Sequence, residues 1–224
     1  MPHSGPPGPV FRALATIANV SVARNKNATM AGEEDGFGPR GEPSRHLALD
    51  ELEGRLRALP EAPRHSGRVV LVVRRRPDKA REIPDRVELR AGSGVPEDAW
   101  GREKADPEAE LTVMQADVAE MIANGQPLTV FGDNLFLELD LSVENLPIGS
   151  RVRIGSSILQ VTPKPHNGCR KFATRFGQDA LRLVSQRERR HRNLRGIYMR
   201  VVEAGEVAVG DLVEVLSRPG DPGS

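Results

Sequence analysis

The stretch Leu135-Phe136-Leu137-Glu138-Leu139-Asp140-Leu141 sets its carboxylates between apolar neighbours, the period-two pattern of a strand with one face in a core. Downstream, Arg151–Ile154 and Ser157–Val161 repeat the pattern and are separated only by Gly155-Ser156, a turn sequence. Leu128–Phe131 lies just upstream as another short apolar run. Farther out, Arg68–Arg74 and Arg86–Leu89 on one side, and Gly196–Val202 and Leu212–Leu216 on the other, also read as strands. Three segments have helical spacing instead: His46–Leu59 closed by Pro60, Glu108–Ala123 capped by Asn124-Gly125, and Arg170–Ser185. Many short strands with two or three helices predict a mainly β, α+β domain built as a closed or partly closed barrel.

Of the 224 residues, 38% are hydrophobic and only 4% aromatic, so one domain with an appendage and a mostly aliphatic core is expected. Residues 1–45, rich in Gly, Pro, Ser and Asn, read as a disordered tail. Residues 46–64 read as a short helix and linker, 65–217 as the domain and 218–224 as a tail. No apolar run approaches the roughly 20 residues that cross a bilayer, so no membrane partner is expected. The single cysteine, Cys169, allows no internal disulfide, and a cytoplasmic location is the expectation. Net charge is +1, yet between Thr162 and Val202 there are eleven Lys and Arg against Asp179 and Glu188. One flank is therefore strongly basic.

The segment from Val161 to Phe172 (VTPKPHNGCRKF) carries the most chemistry. A strand ends, two prolines and Asn167-Gly168 force a turn, and Cys169 stands at the threshold of a helix. Backbone N–H groups, the helix dipole and the adjacent Arg170 and Lys171 favour a thiolate there, the better nucleophile and the better soft-metal ligand. The alternative is a cysteine serving as a small buried hydrophobe. His166, three residues earlier, is placed to donate a proton or to bond a ligand, or else is a solvated turn residue. A structural zinc site needs three or four ligands, which one cysteine does not supply. Arg187–Arg192 lacks interleaved aromatics for base stacking and reads as a solvated loop, so nucleic acid is not an expected partner.

Seven blocks in order resemble landmarks of MOSC domains, the family named for the C-terminal domain of molybdenum cofactor sulfurases. They are Phe131–Leu135 (FGDNL), Asn145–Gly149 (NLPIG), Val152–Gly155 (VRIG), Pro165–Phe172 (PHNGCRKF), Arg175–Gly177 with Asp179-Ala180, Leu194–Ile197 (LRGI) and Gly205–Asp211 (GEVAVGD). The resemblance implies a MOSC-type barrel, similar to the pyruvate-kinase barrel, with the cysteine in a cleft. It implies that Cys169 either ligates molybdenum in a pterin cofactor or carries sulfur. Asp133 and Asn134 match the family's Gly-Glu-Asn-Leu loop, with Asp133 standing where many relatives carry Glu. His166, Gly168, Arg170, Lys171, Arg175 and Arg195 then become candidates for lining the cleft. Gly94–Trp100 is only loosely similar to the Gly-Asp-Arg-His loop of the reductase members.

These implications leave three functions open. The first is a molybdenum-cofactor-dependent oxidoreductase acting on a small N-hydroxylated substrate. No nicotinamide or flavin fingerprint is present, so its electrons come from an external donor protein. The second is a sulfur carrier that cycles through a Cys169 persulfide, loaded by a donor protein. The third is a non-enzymatic basic interaction module. Pyridoxal phosphate, which the sulfurases bind in a separate domain, is not expected in this chain.

Overall fold

The computed structural model describes residues 39–100 and 105–221. The tail expected over residues 1–38 lies outside the described residues. Residues 39–45, expected in that tail, instead pack on the domain: Pro43–Arg45 form a 3-10 turn, and the Glu42 N–H donates to Gln126 Oε1 at 2.7 Å. Composition alone hid this, because the segment is held by hydrogen bonds to residues far along the chain.

Seven strands close into a barrel. In chain order the strands are β1 (Ser66–Val72), β2 (Arg74–Arg75), β3 (Arg81–Glu82), β4 (Arg86–Leu89), β5 (Leu111–Gln115), β6 (Leu135–Leu137), β7 (Arg151–Ile154), β8 (Ser157–Val161), β9 (Ile197–Glu203), β10 (Gly205–Ala208) and β11 (Leu212–Ser217). Around the barrel the order is β1-β11-β7-β8-β9-β5-β6, and closure removes the sheet edges. Every neighbouring pair in it is antiparallel except β5–β6. Outside the barrel, β4 pairs with β10, and β2 with β3.

Among the described residues, four α-helices accompany the strands: α1 (Leu49–Ala58), α2 (Ala116–Ala123), α3 (Arg170–Phe176) and α4 (Gln178–Ser185). None is long and apolar enough to cross a membrane.

Two apolar cores result. Inside the barrel, Val69, Val72, Leu111, Val113, Leu135, Leu137, Val152, Leu159, Met199 and Val213 are packed. Outside it, Met114 and Phe136 meet Phe131, Phe172 and Phe176 and the apolar faces of the helices, including Leu52 and Leu56 of α1. The even spacing of a strand does not bring both Val69 and Val72 inward. A bulge between Val69 and Leu71 shifts the phase and does so. Each buried large side chain stabilises the fold by about 1.5–3 kcal/mol.

Four expectations are corrected. Glu108–Ala123 is not one helix, because Leu111–Gln115 is strand β5, buried on both faces between the two cores. A doubly buried strand loses its alternation and resembles a helix in periodicity. Its parallel partner β6 requires a crossover, and α2 supplies it, ending at Asn124 with φ 48° as its left-handed cap. Leu128–Val130 is a 3-10 turn within that crossover, not a strand, and the strand at Leu135 stops at Leu137. Arg170–Ser185 is two helices broken at Gly177, whose φ of 92° a side chain disfavours.

Candidate functional site

The crossover delivers Gly132-Asp133-Asn134 to the mouth of the barrel just before β6. Asp133 and Asn134 are both buried. Asn134 is consumed structurally: its Oδ1 accepts from Thr112 N and Oγ1 at 3.2 and 2.9 Å. Its Nδ2 donates to Val73 O at 3.3 Å and to Asp98 Oδ1 at 3.2 Å. That network fixes the adjacent Asp133 carboxylate.

Asp133 Oδ2 accepts from Arg195 Nη1 at 2.8 Å, and its Oδ1 lies 3.8 Å from His166 Nε2. Among the described residues, Asp133 Oδ1, His166 Nδ1 and Arg195 Nε are buried without a hydrogen-bond partner. Buried polar atoms are normally satisfied, so three orphans around one carboxylate mark a place built for something else. Tyr198 closes the far side, with its ring 4.4 Å from that of His166, and burial raises its pKa. Arg195 also lies over the Phe172 ring, 5.2 Å from its centroid.

Burial pushes the His166 pKa down to about 3, and Arg195 adds to the effect while Asp133 opposes it. The imidazole is therefore neutral at physiological pH. The unfolded state takes up a proton near pH 6.5 and the native state does not, so His166 contributes stability above that pH that is lost as pH falls toward 3. Between pH 6 and 4, His166→Gln is expected to flatten the fall in stability by up to about 1.4 kcal/mol per pH unit. Urea unfolding of both proteins across that range measures it. A wild-type slope left unchanged by the substitution would mean a solvated histidine.

Sequence reading missed a second group of residues. The β2–β3 hairpin pairs Arg75 directly with Arg81, a like-charge cross-strand pair that is normally unfavourable. Asp98 offsets Arg75 through Nη2 at 2.6 Å and Nε at 2.9 Å. Among the described residues Arg81 has no such ion-pair partner, and its Nε is buried without a hydrogen-bond partner. Desolvation, then Arg175 and Arg75, push the Arg81 pKa down to about 10. Both Arg81 and Arg175 reach Gly132: a β-carbon there would lie 3.3 Å from Arg81 Nη2 and 3.5 Å from Arg175 Nη1. The Arg74-Arg75-Arg76 run was the only sequence signal.

The predicted residues thus divide. Arg175, Arg195, Asp133 and His166 gather at the mouth, while Arg170 and Lys171 lie exposed on α3. Gly168 packs on α4, where a β-carbon would sit 2.5 Å from Leu181 Cδ1. Cys169 is exposed and occupies the N-cap position of α3. Desolvation and Arg195 hold the Arg175 pKa down, while Asp133 and Cys169 act the other way, which ties the thiol electrostatically to the cluster. No group of three or more His, Cys, Asp or Glu among the described residues is arranged to hold a metal. The Arg187–Arg192 run, expected as a solvated loop, is a 3-10 helix with no buried residue, and Arg189 Nη1 bonds Glu53 Oε1 of α1 at 2.7 Å.

Residues 105–214 match the family model described as MOSC domain. Among solved structures, the chain is similar to the crystal structure of a hypothetical protein, with 22% identity, a TM-score of 0.52 and 70% of each chain covered. It is also similar to the YUAD protein from Bacillus subtilis, with 16% identity, a TM-score of 0.53, and 69% of this chain and 98% of that chain covered. YiiM from Geobacillus stearothermophilus matches at 18% identity and a TM-score of 0.49, over 69% of this chain and 77% of that chain. No curated protein matches. The structural likenesses bear on the fold, the family match bears on descent, and on that match residues 105–214 of the chain are a MOSC domain.

Proposed function

We propose that the chain holds a molybdenum cofactor at the barrel mouth through Cys169 and serves as an oxidoreductase for a small N-hydroxylated substrate, with electrons from an external donor protein. The observation that carries this is a group of buried polar atoms without partners, together with an exposed thiol. Among the described residues, Asp133 Oδ1, His166 Nδ1, Arg195 Nε and Arg81 Nε are buried with no hydrogen-bond partner. Such atoms are costly unless a bound group satisfies them.

The residues fit such a group. Cys169 offers the soft donor, and the Gly132 cradle, with Arg81 and Arg175, suits a phosphate. When bound, the cofactor supplies two-electron redox chemistry at an oxo-metal centre. Neutral His166 holds or accepts a proton at its orphaned Nδ1, and Asp133 keeps Arg195 in place. Tyr198 and Phe172 wall the cleft on its apolar side.

Exposure of Cys169 favours a second reading, a persulfide carrier, since a partner protein reaches the thiol directly. Elemental analysis of protein purified from molybdate-fed cells separates the two. About one molybdenum per chain is the expected result, the stoichiometry of a single soft thiolate donor. No molybdenum, together with a persulfide on the Cys169 peptide, would establish the carrier instead.

A further inference from the structure

Arg175 is gripped from behind by a segment on which the proposed function does not draw. Its Nε donates to Pro39 O at 3.2 Å while Nη1 donates to Phe131 O at 2.8 Å. Its own carbonyl oxygen accepts from His46 Nε2 at 3.2 Å and from Gln126 Nε2 at 3.4 Å. Gln126 also accepts from the Glu42 N–H at 2.7 Å, so one amide ties the segment to the arginine's backbone. At Gly41 the contact is closest: a β-carbon would lie 1.7 Å from the Arg175 carbonyl oxygen. His46 covers Gly177, the break between α3 and α4. Asn124 Nδ2 donates to Arg45 O at 3.0 Å and fixes the far end.

We propose that residues 39–46 are a strap that sets the Arg175 guanidinium in the cleft, with Gly41, His46 and Gln126 as positioning residues for anion binding. The part concerning anions rests on the reading of the cleft given above. Two of the guanidinium's anchors belong to separate parts of the chain, the strap and the crossover turn, so a shift of the strap moves the cation relative to Gly132. By reciprocity, an oxyanion that binds the set arginine must stabilise the strap by the same factor.

The test uses the full chain and molybdate as the probe oxyanion. Gly41→Ala forces the strap off sterically, Gln126→Leu cuts the amide link without a clash, and Gly54→Ala, whose β-carbon meets nothing within 4 Å, is the control. Hydrogen exchange of the Arg175 Nε–H, read by nitrogen-15 NMR, reports the strap directly and needs no ligand. Both strap variants are expected to lose that protection and to bind molybdate about tenfold more weakly, the size of one charge-assisted hydrogen bond. Saturating molybdate is expected to slow proteolysis within residues 39–46 of the wild type, and Gly54→Ala to behave as wild type throughout. Folded strap variants that keep the Nε–H protection would overturn the strap, as would lost protection with unchanged molybdate affinity. If the wild type took up no molybdate while its Nε–H still responded to Gly41→Ala, the cleft reading would fall and the strap's hold on Arg175 would stand.

Discussion

Cys169→Ser is expected to lower metal retention and turnover by at least about 100-fold while leaving the fold intact. Perturbing even the outer partners of a metal ligand costs about 10–100-fold, and this substitution removes the proposed ligand itself. The side chain is exposed and makes no cap hydrogen bond, so a serine at the same N-cap position has nothing to disrupt. Stability should stay within about 0.5 kcal/mol, as for an ordinary surface substitution. Metal content, activity and a urea midpoint measured on one preparation separate the two effects. Lys171→Ala, on the exposed face of α3, should change activity far less than Cys169→Ser. A serine variant with full activity would move the chemistry from the thiol to the arginine cluster.

The sequence was most readable where structure is local. The β7–β8 hairpin, the closing strands β9 and β11, and the Asn124 cap depend on a few neighbouring residues, and they form near where periodicity and turn chemistry place them. β5 was unreadable because both of its faces are buried, an outcome fixed by its parallel pairing with β6 and not by its own residues. The site followed the same rule. Cys169 and His166 stood out because one turn holds both, while Asp133 and Arg195 emerged only through the family resemblance. Arg75, Arg81 and Asp98 are brought to Gly132 by the β2–β3 hairpin and the loop that follows β4. Nothing local marks that convergence. Gly41 looks like one more tail glycine until the Arg175 carbonyl oxygen is found against it.

Because several arginines interact with the one Asp133 carboxylate, the Asp133–Arg195 bond carries an unequal pair of predictions. Breaking a buried ion pair by removing one partner usually costs about 3–5 kcal/mol, because the other charge is left uncompensated. Here the two removals are not equivalent. In Arg195→Leu the Asp133 carboxylate still feels Arg81 and Arg175, both of which interact with it electrostatically. In Asp133→Leu, Arg195 loses its ion-pair partner and Arg81 loses the carboxylate that acts on it from the same place, while Arg75 keeps Asp98. Asp133→Leu should therefore lie at or above the top of that range and Arg195→Leu at or below its lower end, with urea unfolding as the measure. The excess cost in Asp133→Leu should also shrink as molybdate or phosphate is added, since an oxyanion replaces the missing charge. Added chloride at equal ionic strength should do this less well, because it lacks the several acceptor oxygens that a guanidinium cluster engages at once. Equal costs for the two substitutions, unaffected by oxyanions, would mean that the arginines are balanced within the protein and that the mouth is not built to receive an anion.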